Sequence, residues 1–162
     1  MPKVNEADLE WDDRDRGATA FRRKQLSDAA HGEAIGASLY ELPPGKRAWP
    51  YHYHTGNEEA IYVLAGAGSI RLDGERLPLD AGDYVACPAD ERGGHRVVND
   101  GDEPLRYLAV STMTDPDVLV YPDSDKVGVY TGSAPGDHDN RELTKYFPAD
   151  ADVDYWEGED ED

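Results

Sequence analysis

Three histidines and one acid in this 162-residue chain have the types and the spacing to do chemistry. His52 and His54 stand in the run Pro50-Tyr51-His52-Tyr53-His54. Successive side chains of a strand alternate faces, so the two imidazoles project from one side. Thr55-Gly56-Asn57 supplies a turn, Glu59 opens the next strand with Glu58 beside it, and His95 opens a separate strand. Two His at strand spacing, a carboxylate after a turn and a remote His make a plausible four-ligand site. Imidazole nitrogens with one carboxylate suit Mn, Fe, Co, Ni, Cu or Zn rather than Ca or Mg. An ion that prefers five or six ligands keeps one or two positions for water, dioxygen or a substrate oxygen.

Such a site needs short strands to assemble it, and the surrounding sequence reads as short strands. They are expected at 34–42, 49–54, 60–65, 69–72, 75–79, 83–87, 95–99 and 105–111. Pro43-Pro44-Gly45, residues 66–68, Asp73-Gly74, Ala81-Gly82 and residues 99–104 punctuate them, and Asp73-Gly74 is a two-residue hairpin signal. Strands without a long helical period predict an all-β sandwich or barrel, and the pattern alone does not choose between them. Strand parity puts Ile61 and Val63 on the face of Glu59, and Val97 and Asn99 on the face of His95, which gives the ion an apolar wall. Arg47, Trp49, Tyr62, Tyr84, Arg96 and Tyr107 are rim residues for which packing or exposure is the default role. Residues 1–30 read as a polar N-terminal arm over the domain, 31–115 as the barrel and 116–162 as a C-terminal extension. That extension carries edge strands at 118–121 and 127–130, aromatic anchors at Tyr146, Phe147, Tyr155 and Trp156, and an acidic tail.

The histidine stretch resembles the first motif of the cupin superfamily, G-x(5)-H-x-H-x(3,4)-E-x(6)-G. The chain reads Gly45, six residues, His52-Tyr53-His54, four residues, Glu59, six residues, Gly66. Only the first gap departs, by one residue. Glu59 is preferred to Glu58 because it alone gives the six-residue gap to Gly66. The second motif, G-x(5)-P-x-G-x(2)-H-x(3)-N, is matched by Gly82, Pro88, His95 and Asn99. Six residues separate Pro88 from His95 where the pattern has four, and Asp90 stands where glycine is expected, so a longer loop is predicted there. The resemblance implies a double-stranded β-helix (jelly-roll) barrel and one divalent metal ion, Fe, Mn, Ni or Zn, on His52, His54, Glu59 and His95. It also implies a homodimer.

Composition narrows the partners. Against 35 Asp and Glu stand 16 Lys and Arg, of which 11 are Arg and 5 Lys, for a net charge of −19. Such a surface repels phosphate backbones and anionic lipid, so neither nucleic acid nor membrane is expected as a partner. Excess carboxylate with few Lys resembles the soluble proteins of salt-loving archaea, because at molar salt a Debye length of about 3 Å screens the repulsion. The N-terminus lacks an apolar h-region, no run approaches a spanning helix, and the expected compartment is the cytoplasm. Cys87 stands alone and is expected to be a buried, inert thiol, while His31 and His138 are expected on the surface.

Two functions remain open on these grounds. The first is a metal-dependent enzyme, of oxygenase or isomerase type, acting on a small oxygenated metabolite. A sugar-phosphate isomerase would need cations in the pocket, and those of the barrel region, such as Arg71, Arg76 and Arg106, are expected to face solvent. The second is a module that binds a small ligand without turning it over. A proton-transfer group near the open metal face would favour catalysis.

Overall fold

The computed structural model describes residues 2–133 and 141–159. His138, expected on the surface, lies outside them. The strands are β1 (Asp12–Arg16), β2 (Thr19–Gln25), β3 (Ile35–Leu42), β4 (Tyr53–His54), β5 (Glu59–Ala65), β6 (Ala67–Leu72) and β7 (Glu75–Asp80). They continue with β8 (Tyr84–Cys87), β9 (His95–Val98), β10 (Leu105–Thr112), β11 (Asp117–Tyr121), β12 (Lys126–Thr131) and β13 (Leu143–Pro148). One turn of helix, α1 (Leu26–Ala29), leads from β2 toward β3.

One layer is a sheet in the order β1-β2-β3-β10-β5-β8. The other combines β13-β12-β11-β4 with β7-β6-β9, joined by an antiparallel bridge between His52 and His95. Every strand ladder among the described residues is antiparallel, and the two layers close a jelly roll around an apolar core, with a smaller buried cluster of Leu119, Tyr121 and Tyr130. Leu42, Ile61, Val63, Ile70, Leu79, Val97 and Leu105 fill its centre. Burial of such side chains contributes about 1.5–3 kcal/mol each.

Two close approaches explain a motif glycine, Gly66, and a loop glycine, Gly93. Gly66 joins β5 to β6 with φ +81°, and a Cβ there would fall 2.4 Å from the Pro104 carbonyl oxygen. Gly93 lies so close to Pro88 that a Cβ would overlap its carbonyl oxygen, at 1.9 Å. The longer loop expected after Pro88 folds as a 3-10 turn over Glu91–Gly93, which delivers the chain to His95.

The structure departs from the sequence expectations at both ends. Residues read as an N-terminal arm supply β1 and β2, and Phe21 enters the core against Trp49 at 4.7 Å between ring centroids. Strand texture was hidden by Arg22, Arg23 and Lys24, two of which are buried. Lys24 donates from Nζ to the Glu6 carbonyl at 2.6 Å and, like Arg22, covers the Trp11 ring. The strand expected at 49–54 pairs as a ladder only at Tyr53–His54. The segments expected as edge strands are interior: β11 lies between β4 and β12, and β12 between β11 and β13. β13 shows no burial alternation, since all of its side chains are exposed, so its place comes from backbone pairing alone. Among the described residues no helix is long and apolar enough to cross a membrane.

Candidate metal centre

Each candidate ligand is placed by a different local device. β4 holds His54 by pairing with Leu119 of β11, and the bridge to His95 holds His52. The intervening turn is fixed by buried Asn57, whose Oδ1 accepts from Thr112 Oγ1 at 2.9 Å and from the Thr114 N–H at 2.6 Å. That clamp sets where β5 begins, and Glu59 is its first residue. Glu58, the competing acid, is exposed.

Together these devices bring the four side chains to one point. One ligand atom from each of His52, His54 and Glu59 lies within 4.8 Å of the others. His95 joins them, its Nε2 at 3.3 Å from Glu59 Oε2, and His54 Nε2 is also 3.3 Å from that oxygen. All three imidazoles are buried.

The outward nitrogens are all engaged. His52 Nδ1 donates to the Pro50 carbonyl at 2.7 Å and His95 Nδ1 to the Gly93 carbonyl at 2.8 Å. His54 Nδ1 donates to Asp117 Oδ2 at 2.5 Å. Carbonyl and carboxylate oxygens only accept, so each Nδ1 carries a hydrogen and each Nε2 points inward. Glu59 Oε2 is buried, has no hydrogen-bond partner, and faces two such nitrogens. Two ring nitrogens facing a buried carboxylate oxygen need positive charge between them, a proton on His54 in the metal-free chain or a bound ion. The donor set therefore fits a cation, and three nitrogens with one oxygen fit a transition ion.

Electrostatics around the group follow from this crowding. Burial, with His95 and His54 adding to it, pushes His52 down to about 3, so its imidazole is neutral. Burial opposes charge on His54 as well, but Glu59 and Asp117 outweigh it and lift that ring to about 10. Burial alone would raise Glu59, whereas the imidazoles, His54 foremost, hold it below the usual carboxylate range. Cys87 is buried and its thiol is pushed up to about 12, first by burial and then by Glu59 and Glu58, as expected of an inert thiol.

The cluster opens on a cavity of about 450 Å³. Tyr121 stacks on His52 at 5.7 Å between centroids, and its hydroxyl meets that of Tyr130 at 3.3 Å, which meets that of Tyr146 at 2.5 Å. Burial and these neighbours raise the Tyr121 hydroxyl far above its ordinary range, so it is a donor and not a base. Ile61 and Val97 line the same cavity, as strand parity predicted, whereas Val63, expected beside them, is packed in the core and the exposed Tyr62 and Tyr84 do not reach it. His31 is exposed. Asp117 and Tyr121 were not singled out by sequence reasoning, since both lie after the recognisable motifs and Asp117 is one of 35 acids.

Comparison with known proteins places this geometry. Residues 38–111 match the Cupin domain family. The chain is 35% identical over 95 residues to an oxalate-binding protein of Thermotoga maritima, across 59% of this chain and 76% of that protein. Other curated relatives, a quercetin 2,3-dioxygenase of Bacillus subtilis among them, are matched over less than half of their own length. Among solved structures, a candidate sugar phosphate isomerase from Acidithiobacillus ferrooxidans superposes with a TM-score of 0.80 at 26% identity. That likeness covers 94% of this chain and 96% of the other. A sugar phosphate isomerase of the cupin superfamily from Silicibacter pomeroyi gives 0.71 at 28% identity, over 81% and 78% of the two chains.

Proposed function

The chain belongs to the cupin family, and on that premise we propose that it is a metal-dependent enzyme acting on a small oxygenated metabolite. In this reading His52, His54, Glu59 and His95 hold one divalent transition ion. The observation that carries it is the buried Glu59 oxygen, which has no hydrogen bond and faces inward-pointing imidazole nitrogens.

A bound ion of this kind supplies Lewis-acid polarisation of a hydroxyl, keto or carboxylate oxygen. The protein's own groups do the rest. Pro50, Gly93 and Asp117 fix the three imidazole tautomers, and Ile61 and Val97 keep one wall dry. Tyr121, backed by Tyr130 and Tyr146, offers a hydroxyl proton beside His52. A hydroxyl donor at the cavity supports isomerase-type chemistry over oxygenation, and the whole-chain likeness to the Acidithiobacillus protein supports the same choice. The alternative, a binding module without turnover, is supported by the oxalate-binding relative.

Metal analysis of protein purified without chelator or nickel resin tests the premise. One transition ion per chain is expected, with most of it lost in His52→Ala; equal metal in that variant and in wild type would refute the assignment. Turnover of hydroxy and keto acids and of sugar phosphates, followed with and without dioxygen, separates isomerase, oxygenase and binding readings.

We further read the −19 charge as adaptation to molar salt in a haloarchaeal cytoplasm, and the exposed Tyr62, Leu64 and Tyr84 of β5 and β8 as a homodimer face. Thermal melts and sedimentation from low to molar salt check both. A melting point that does not rise with salt, or a monomer throughout, would remove the respective reading.

A further inference from the structure

The cavity that Glu59 opens on also contains a buried cation that the metal site does not use. Arg23 of β2 is 3% exposed and lines it together with His52, His54, Glu59 and His95. We infer that Arg23 is an anion-binding residue of this cavity, receiving a carboxylate or phosphate group of a ligand whose other oxygen atoms face the four-residue cluster. The inference rests on the metal-centre reading for that second half.

Register places the side chain. Arg23 lies opposite Tyr40 of β3, Tyr40 opposite Tyr107 of β10, and Tyr107 opposite Val63 of β5, so these four share the inner face. The Tyr40 and Tyr107 rings stack at 5.1 Å and floor the space between. Tyr40 links the two charges: burial raises its hydroxyl, Arg23 opposes that rise, and Glu59 adds to it.

The guanidinium is under-paired for its burial. It carries five N–H donors, yet beyond a contact with the Tyr40 hydroxyl its hydrogen bonds leave from Nη2 alone, to Asp12 Oδ2 and Gln25 Oε1, each at 3.3 Å. Its Nε is buried without an acceptor. The only nearby countercharge among the described ion pairs, Asp12, is 42% exposed at its side chain and shares the same oxygen with Arg14 at 3.2 Å. An exposed, shared carboxylate offsets little of the cost of burying a cation. A ligand anion would supply the missing acceptor through a bidentate, charge-assisted contact. Arg96 also lines the cavity, and Arg141, whose guanidinium lies 3.6 Å over the Tyr130 ring, brings a third cation to it. The acids at the mouth, Asp28 and Glu33, are exposed and so are screened by salt, whereas Arg23 is not.

Calorimetry of the metal-loaded full chain with glycerol, glycerate and glycerol 3-phosphate tests this. At least one anion should bind about tenfold or more tightly than glycerol, which is the scale of a lost charge-assisted contact. The preferred anion identifies carboxylate or phosphate. Arg23→Gln should abolish the preference and Arg23→Lys should keep part of it, with metal content unchanged in both. Asp12→Asn removes the structural partner and should retain the preference. Should Arg23→Gln not fold, the lysine and Asp12 variants carry the same comparison. No preference for either anion in wild type, or an unchanged preference in Arg23→Gln, overturns the inference. So does an equal loss in Asp12→Asn, because Arg23 would then only tie β1 to the barrel. Anion preference through Arg23 in a wild-type protein that takes up no metal would instead sink the metal centre and leave the anion site standing.

Discussion

The same strands, β5, β9 and β10, end in opposite environments at the two ends of the barrel. At the far end Leu42, Ile70 and Leu105 have no accessible surface, and the buried Asn99 is fully engaged. Its Nδ2 donates to the Leu42 and Glu103 carbonyls, both at 2.8 Å, and its Oδ1 accepts from the Gly101 N–H at 3.0 Å. At the near end Glu59 and His95 begin β5 and β9, with an oxygen of Glu59 and the Nε atoms of Arg23, Arg96 and Arg141 buried without hydrogen-bond partners around one cavity. At the first end folding satisfies the buried Asn99 from within the chain. At the second it creates needs that only something from outside the chain can meet. Stability and function are thus divided along the length of single strands.

Substitutions at each end should separate these roles. Leu105→Ala should cost about 2–5 kcal/mol of stability, the range for large-to-small changes in a packed core. Denaturant melts would measure it, and metal bound per folded chain should stay at the wild-type level. A matching loss of metal would break the division between the ends. Asp117→Asn should act the other way, weakening metal affinity by about 10–100-fold through the tautomer and orientation of His54. Competition with a chromogenic chelator reads that change directly. His31→Ala, at an exposed position outside both ends, should leave melts and metal content as they are.

What the sequence made legible divides in a related way. Turn residues and the alternation of half-buried strands announce β3 and β5 to β10, because burial on one face leaves a period in the residue types. Glu59, His95 and the pair at 52 and 54 stood out as candidates because their spacing matches the two cupin motifs. β1 and β2 were not, because Arg23 and Lys24 are charged yet buried, and their burial depends on Trp11, Glu6 and the cavity, none of which is adjacent in the pattern. β13 left no period, being exposed on both faces. Asp117 is indistinguishable by type from the surface acids around it, and only its distance to His54 sets it apart.

One feature of the topology reaches beyond this chain's own site. The stretch that matches the family ends at residue 111, whereas Asp117 and Tyr121 come from β11, and Arg23 from β2, before that stretch begins. A minimal domain excised at residues 38–111 would inherit all four candidate ligands but neither the carboxylate that orients His54 nor Tyr121 and Arg23 at the cavity. Selectivity in such a design can change by exchanging the appended strands, while the ion-binding residues stay untouched.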